Sequence, residues 1–286
     1  MATTRRNRSH RTLRLGGAAA LLVLASGAYA DPDSESIYPE QSVTRTQADL
    51  EGRVTAEDQP FAYVVDASTA SQGVVAVGYD LGLGSGISAI RPIPVVLQNE
   101  GIANGFTLSY GATNWLEPTV NLIVTSNLSN NTSSVDGIAG LKVQLTSPDS
   151  PWRAAVMGGG LREGLSQAFG TWVRGIGSFG TGPLLVEANV YVEHVFQAGR
   201  DGADFMATLG ADYRVLPFMR VGAEWVGQDL EETFDPGDEG GSRMGLGPNV
   251  AFDLDRGRYQ IVVTGLFGLN AISPTAMVRA GLLGSF

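Results

Sequence analysis

The carboxyl end, Thr275-Ala-Met-Val-Arg-Ala-Gly-Leu-Leu-Gly-Ser-Phe286, carries a two-residue alternation that ends on an aromatic side chain. One face presents Ala276, Val278, Ala280, Leu282 and Gly284, and the other presents Met277, Arg279, Gly281, Leu283 and Ser285. A period of two predicts a β-strand whose faces meet different environments. The same pattern also suits the last strand of a soluble sheet.

The stretch resembles the C-terminal strand of bacterial outer-membrane β-barrels, in which a polar residue, a glycine and a terminal aromatic recur at fixed spacing. Arg279, Gly281 and Phe286 match that pattern, while Gly284 stands where a larger apolar residue is usual. The resemblance implies that the barrel-assembly machinery binds this strand and that the strand closes the barrel against the first one. Arg279, Gly281 and Phe286 are therefore predicted to form the assembly signal.

The amino end predicts export. Arg5, Arg6, Arg8, Arg11 and Arg14 precede a short apolar run, and Ala28-Tyr29-Ala30 suits signal cleavage, so residues 1–30 are predicted to be a signal peptide. Residues 31–59 are polar and acidic, and Phe61–Val65 form a brief alternating run. We expect 31–72 to be a periplasmic leader or a plug segment, and 73–286 to be the barrel.

Composition excludes several classes of protein. The chain has 19 Lys+Arg and 29 Asp+Glu; without the five signal arginines the net charge is 14 − 29 = −15. This acidity argues against nucleic-acid binding, which needs a basic surface. The longest uncharged run is broken by glycines, Asn270 and Pro274, so no spanning helix is expected. Cysteine is absent from the sequence, which rules out disulfides.

Alternating segments follow from Gly73 to the end, and their number and length predict about twelve strands. Val186, Ala188, Val190 and Val192 alternate cleanly with Glu187, Asn189, Tyr191 and Glu193. Predicted links alternate between short ones, such as Thr181–Pro183, and mostly longer ones, such as Asp229–Ser242. This pattern is typical of a closed antiparallel transmembrane β-barrel with tight periplasmic turns. A soluble β-sandwich is the alternative that alternation alone leaves open.

In a membrane barrel the polar face of each strand points inward. By this parity the predicted lumen-lining residues are Asp80, Lys142, Arg174, Glu187, Asn189, Glu193, Asp212, Arg220, Glu224, Arg258 and Arg279.

Cross-strand partners follow if the turn after the eighth strand is centred on Leu216. Asp212 would then lie opposite Arg220, and Thr208 opposite Glu224, all on the inner face. We expect the first two to form an ion pair across a narrow lumen of nearly balanced charge.

Two short motifs suggest a more specific relationship. Ser109-Tyr-Gly-Ala-Thr-Asn-Trp-Leu-Glu117 and Gly140-Leu-Lys-Val143 resemble a turn and a later strand of porin-like proteins related to the phenol-degradation MetA family. That resemblance implies a channel for small, often hydrophobic compounds.

No catalytic or metal signature emerges. His194, the single histidine after the signal, is predicted to face outward, but it lacks the Ser-Asn that follows the histidine in outer-membrane phospholipase. The acidic loop Asp229–Ser242 lacks an EF-hand pattern, and weak divalent-ion binding there is an alternative to a solvated loop. Catalytic, cofactor and metal sites are all predicted to be none.

The sequence thus predicts a non-enzymatic, porin-like channel or transporter in the bacterial outer membrane, passing small solutes through a narrow polar lumen. Its expected partners are outer-membrane lipid, the barrel-assembly machinery and a small-molecule solute, with homo-oligomerisation left open. The alternatives are a non-conducting structural or surface-recognition barrel and, less favoured, a lipid-facing hydrolase.

Overall fold

The computed structural model describes residues 60–85, 101–128, 131–164, 166–198, 202–230 and 242–286. These residues form twelve strands: β1 (Val75–Ser85), β2 (Gly101–Tyr110), β3 (Leu116–Asn127), β4 (Thr132–Gln144), β5 (Trp152–Arg162), β6 (Phe169–Thr181), β7 (Leu184–Val195), β8 (Asp204–Leu216), β9 (Met219–Gln228), β10 (Arg243–Leu254), β11 (Tyr259–Gly268) and β12 (Ala276–Ser285). A short 3₁₀ helix, Asp255–Gly257, joins β10 to β11. No helix among the described residues is long and apolar enough to cross a membrane.

Each strand pairs antiparallel with its sequence neighbours, and β12 pairs with β1 to close the ring. At this closure Val75 and Phe286 exchange two backbone hydrogen bonds of 3.0 and 2.9 Å. The predicted twelve-stranded, closed antiparallel barrel is confirmed. Closure leaves no free sheet edge in the ring.

The two faces of the wall differ in chemistry because side chains alternate along each strand. Outward positions carry large apolar groups that remain exposed, including Leu108 at 53%, Val120 at 54% and Val173 at 50%. Inward positions carry most of the buried polar side chains. An apolar exterior around a polar interior is the reverse of a soluble fold, and it suits contact with lipid.

The connections differ in length between the two ends of the barrel. Residues 182–183 and 217–218 form two-residue turns at one end, whereas 86–100 and 229–242 connect strands at the other. The link between β3 and β4, which the sequence placed at Asn127–Asp136, is shorter than predicted, because β4 begins at Thr132 and leaves only 128–131 between the two strands.

Candidate functional site: the lumen and its plug segment

The interior of the barrel is partly filled by the chain that precedes β1. We call residues 60–72 the plug segment. Phe61, Val64 and Ala67 are at most 2% exposed, and Tyr63 packs with inward residues of the wall. Of the stretch predicted to be a leader or a plug, residues 60–70 are buried or half-buried against the inner wall, while 31–59 lie outside the described residues.

Two wall side chains hold the start of the plug segment. Glu224 on β9 accepts hydrogen bonds from the backbone N–H groups of Ala62 at 2.7 Å and Tyr63 at 2.8 Å. Asn189 on β7 accepts from Val65 N at 2.8 Å and donates to Val65 O at 2.9 Å. A chain without regular secondary structure inside a barrel needs such partners, because its backbone groups have lost water.

A charged contact follows at the middle of the plug segment. The Asp66 carboxylate lies 3.6 Å from the Arg153 guanidinium on β5, and Ser178 Oγ lies 3.3 Å from the same carboxylate and 2.9 Å from Glu187. Burial alone would raise the pKa of the Asp66 carboxyl, but the Arg153 charge and neighbouring hydrogen bonds hold it below its ordinary value.

The end of the plug segment reaches the opposite side of the lumen. Glu117 on β3 accepts from Ala70 N at 2.7 Å, and Gly73 N donates to Gly111 O at 2.8 Å next to β2. Since Asn249 on β10 donates to Pro60 O at 2.7 Å, the segment follows the inner wall from β10 round to β2. The inner faces of β1 and β12 are left beside it.

A cavity of about 180 Å³ occupies that remaining space. Its lining combines polar groups of β1 to β3, such as Asp80 and Asn121, with aromatic groups of β6, β7 and the plug segment. Trp172 stacks on Tyr191 with ring centroids 5.7 Å apart and 21° between the planes. Tyr63 forms part of the cavity wall beneath the Arg279 guanidinium, which lies 5.1 Å from its ring.

Most residues predicted to line the lumen are buried inward side chains, and several are paired. Arg279 contacts Asp80 at 2.7 Å, and Lys142 contacts Glu117 at 3.6 Å. Glu193 accepts the Tyr191 hydroxyl at 2.7 Å. Arg174 is buried on the same face.

The predicted ion pair between Asp212 and Arg220 is present at 2.8 Å, but the predicted register was wrong. Asp212 lies opposite Gly222, and Thr208 lies opposite Val226. The turn is Pro217–Phe218 rather than Leu216, which displaces the pairing by two residues. An even displacement keeps every side chain on its predicted face, so Asp212 and Arg220 meet diagonally.

Arg258 is a correction to the predicted lining. It is exposed, and its guanidinium lies 5.6 Å from the Tyr259 ring and 5.4 Å from the Phe286 ring. β11 begins at Tyr259, and Arg258 has helical backbone angles, φ −67° and ψ −33°. The strand's alternation therefore does not extend to Arg258.

The sequence did not single out Trp172 or Asp66, which shape the interior, and it noted Tyr63 only within the alternating run Phe61–Val65. Trp172 fills the space that a side chain at Gly140 would need, since a Cβ there would lie 2.6 Å from its ring. Glycine at that position makes room for a large inward ring. Asp66 precedes the barrel, where no strand alternation indicates which side chains point inward.

Two other predictions concern His194 and the acidic loop Asp229–Ser242. His194 contacts the Gly202 backbone carbonyl and packs edge-on against Phe196, so its described contacts supply no orienting carboxylate. Residues 231–241 of the acidic loop lie outside the described residues. At its base Ser242 Oγ donates to Asp229 O at 2.9 Å.

The carboxyl terminus explains the departure at Gly284. Tyr259 lies opposite Gly284, and a Cβ there would approach the rings of Tyr259 at 3.2 Å and Phe286 at 3.3 Å. The two rings thus cover the position where a larger side chain is usual. Arg279 and Gly281 both lie on β12.

Comparisons with solved structures agree with this architecture. The KdgM porin matches with a TM-score of 0.52 and 11% identity, over 74% of this chain and 99% of that one. An outer-membrane channel from Pseudomonas putida F1 matches with a TM-score of 0.53 and 12% identity, over 79% and 99%. At such identity the likeness concerns the fold. No family model matches the chain, and no curated protein is significantly similar to it.

Proposed function

We propose that this protein is a porin-like channel of the bacterial outer membrane that passes small solutes through a narrow, partly plugged lumen. The observation that carries the proposal is a closed barrel with an exposed apolar exterior and a polar interior that retains a cavity of about 180 Å³. Such an exterior is stable only against lipid, and the interior offers a polar route. Outer-membrane lipid then surrounds the barrel.

The solved relatives of the same fold support this assignment by analogy. Both are described as a porin or an outer-membrane channel, and a further KdgM structure contains disordered oligogalacturonate. We extend from them the general role of passing small solutes, not the particular compound. The arrangement of the plug segment adds the expectation that the open route is narrow.

The finer relationship to porin-like proteins of the MetA family is also a proposal. Its two motifs meet in the fold, because Glu117 lies opposite Lys142 across β3 and β4. Their ion pair and the hydrogen bond from Ala70 to Glu117 join both motifs to the plug segment. A shared way of holding an internal segment would account for the resemblance.

A second function is favoured by one observation. The plug segment bonds to side chains of β3, β7, β9 and β10, and a lumen closed this firmly suits a non-conducting barrel whose loops recognise other molecules. In that case the barrel would serve as a rigid support.

Conductance in planar bilayers separates the two functions. The channel predicts small unitary steps for the parent protein and larger steps for Glu224→Ala, which removes the acceptor of two plug hydrogen bonds. Asp253→Ala is the matched control, since this inward carboxylate pairs with Arg214 and Gln260 and not with the plug segment. Silence in the parent and in Glu224→Ala, with both correctly folded, would favour the non-conducting barrel.

A further inference from the structure

The cavity beside the plug segment contains an electrostatic imbalance. Three cationic side chains, Lys142, Arg174 and Arg279, line it together with two carboxylates, Glu117 and Asp80. Lys142 and Arg279 are the cations that these carboxylates contact. Arg174 is therefore the cation left over.

Arg174 has no carboxylate partner among the described residues. Its side chain is 8% exposed, its Nε is buried without a hydrogen-bond partner, and its guanidinium lies 5.1 Å from the Tyr191 ring centroid. A buried charge is costly unless an opposite charge and hydrogen bonds compensate it. The aromatic face compensates only in part, so Arg174 is prepared for an anion.

On the side of the cavity, Arg174 is accompanied by aromatic and apolar side chains, while Asn189 and Thr208 line a small adjoining space with it. Trp172 and Tyr191 form a stacked pair beside it, and Ile138 and Met157 continue the cavity wall. Pockets of this kind select ligands by apolar shape and orient them by a few polar groups. Tyr63 belongs to the same lining, and its hydroxyl has no hydrogen-bond partner in the described structure.

The size of the space limits the ligand. About 180 Å³ exceeds the roughly 150 Å³ of an engineered apolar cavity that holds benzene. One six-membered ring with one small charged substituent fits this volume, whereas an oligosaccharide does not. A guanidinium fork matches a carboxylate in geometry as well as in charge.

We propose that this cavity binds a small aromatic monocarboxylate, whose carboxylate pairs with Arg174 while its ring packs against Tyr191 and Trp172. The inference deepens the proposed channel function and rests on it for its role, as a binding step during passage. The binding itself requires only the folded barrel.

Benzoate is the probe, and benzyl alcohol is its neutral counterpart of similar shape. The purified full-length protein in detergent micelles is titrated by calorimetry and by quenching of tryptophan fluorescence. We expect saturable benzoate binding that is at least about tenfold tighter than binding of benzyl alcohol, as a charge-assisted hydrogen-bonded pair supplies. Equal affinity for the two compounds, or no saturable benzoate binding, overturns the proposal.

Substitutions test whether Arg174 is the residue that binds the carboxylate. Arg174→Met should weaken benzoate binding by at least about tenfold and leave benzyl alcohol unchanged, because only the charged contact is lost. Arg174→Lys should retain part of the affinity. Arg214→Met is the matched control, since this arginine pairs with Asp253 and lies outside the cavity lining. Unchanged benzoate binding in a folded Arg174→Met protein contradicts the assignment, and the two-probe comparison decides if that variant does not fold.

Failure of this inference differs from failure of the channel. A barrel that conducts ions but does not bind benzoate retains the channel function and loses the proposed site. A barrel that binds benzoate through Arg174 but never conducts retains the site as that of a binding protein.

Discussion

Two kinds of buried charge occur in the lumen, those with a partner in the plug segment and one without a carboxylate partner. Where the plug segment lies against the wall, Glu224 and Asp66 are matched by backbone N–H groups or by a guanidinium. Beside the cavity, Arg174 is also buried, but among the described residues it meets the aromatic face of Tyr191 and no carboxylate. Matched charges fix the position of a segment, whereas an unmatched one is available to a ligand. The contrast separates groups that hold the fold from a group that serves its function.

The largest effect is expected from a change that prevents the whole barrel from assembling. Deleting Phe286 takes away the ring that covers Gly284 and the residue that pairs with Val75. We expect export to continue but folded barrel to fall sharply, as judged by heat-modifiable migration in detergent gels. Normal amounts of folded barrel would show that Phe286 is not part of an assembly signal.

The next-largest effect is expected at an ion pair between the plug segment and the wall. Asp66→Ala should remove the carboxylate that contacts the largely buried Arg153, at a cost of about 3–5 kcal/mol in the free energy of unfolding. Urea unfolding in micelles measures it. Asp253→Ala, which breaks a more exposed pair with Arg214, should cost about 1 kcal/mol or less. Equal losses in the two variants would remove the distinction between plug anchors and other inward pairs.

A smaller effect is expected for the pair between β8 and β9. Arg220→Ala should cost about 1–3 kcal/mol, because it removes the guanidinium that the Asp212 carboxylate contacts at 2.8 Å. It should also raise cation conductance in planar bilayers. Exchanging the two residues, with Asp212→Arg and Arg220→Asp, should restore most of both properties. No recovery would mean that the pair depends on surroundings specific to one orientation.

The smallest effect is expected at the unmatched charge. Arg174→Met should change the free energy of unfolding by about 1 kcal/mol or less, or increase it, since removing an uncompensated buried charge costs little. The same urea titration applies. A loss as large as that of Asp66→Ala would show that Arg174 is matched after all, and the contrast between the two kinds of buried charge would disappear.

The sequence predicted the barrel well because strand alternation is local and repetitive. The strand number followed from counting alternating segments, the closing pair was implied by the resemblance of the last strand, and the inward face of Asp212 and Arg220 followed from parity. The register did not follow, since a pairing displaced by two residues preserves parity. Arg258 failed for a related reason, because alternation ends where the backbone leaves the strand.

The plug segment was the harder problem. Its contacts join residues far apart in sequence, such as Ala62 and Glu224, which are 162 positions apart. Its residues have no periodicity that distinguishes a leader from a segment inside a barrel. The unmatched state of Arg174 is likewise a property of three-dimensional neighbours, since the sequence supplies similar numbers of inward acids and bases.

The pairing of β1 with β12 has a consequence for how the molecule folds. Asp80 and Arg279 meet across this seam although 199 positions separate them, so its formation bears the greatest loop-closure entropy along the chain. Hairpins between successive strands cost far less and are expected to form earlier. The plug segment continues directly into β1, so it is expected to settle against the growing sheet before the ring is complete. The last kinetic step then encloses a segment that the sheet has already bound.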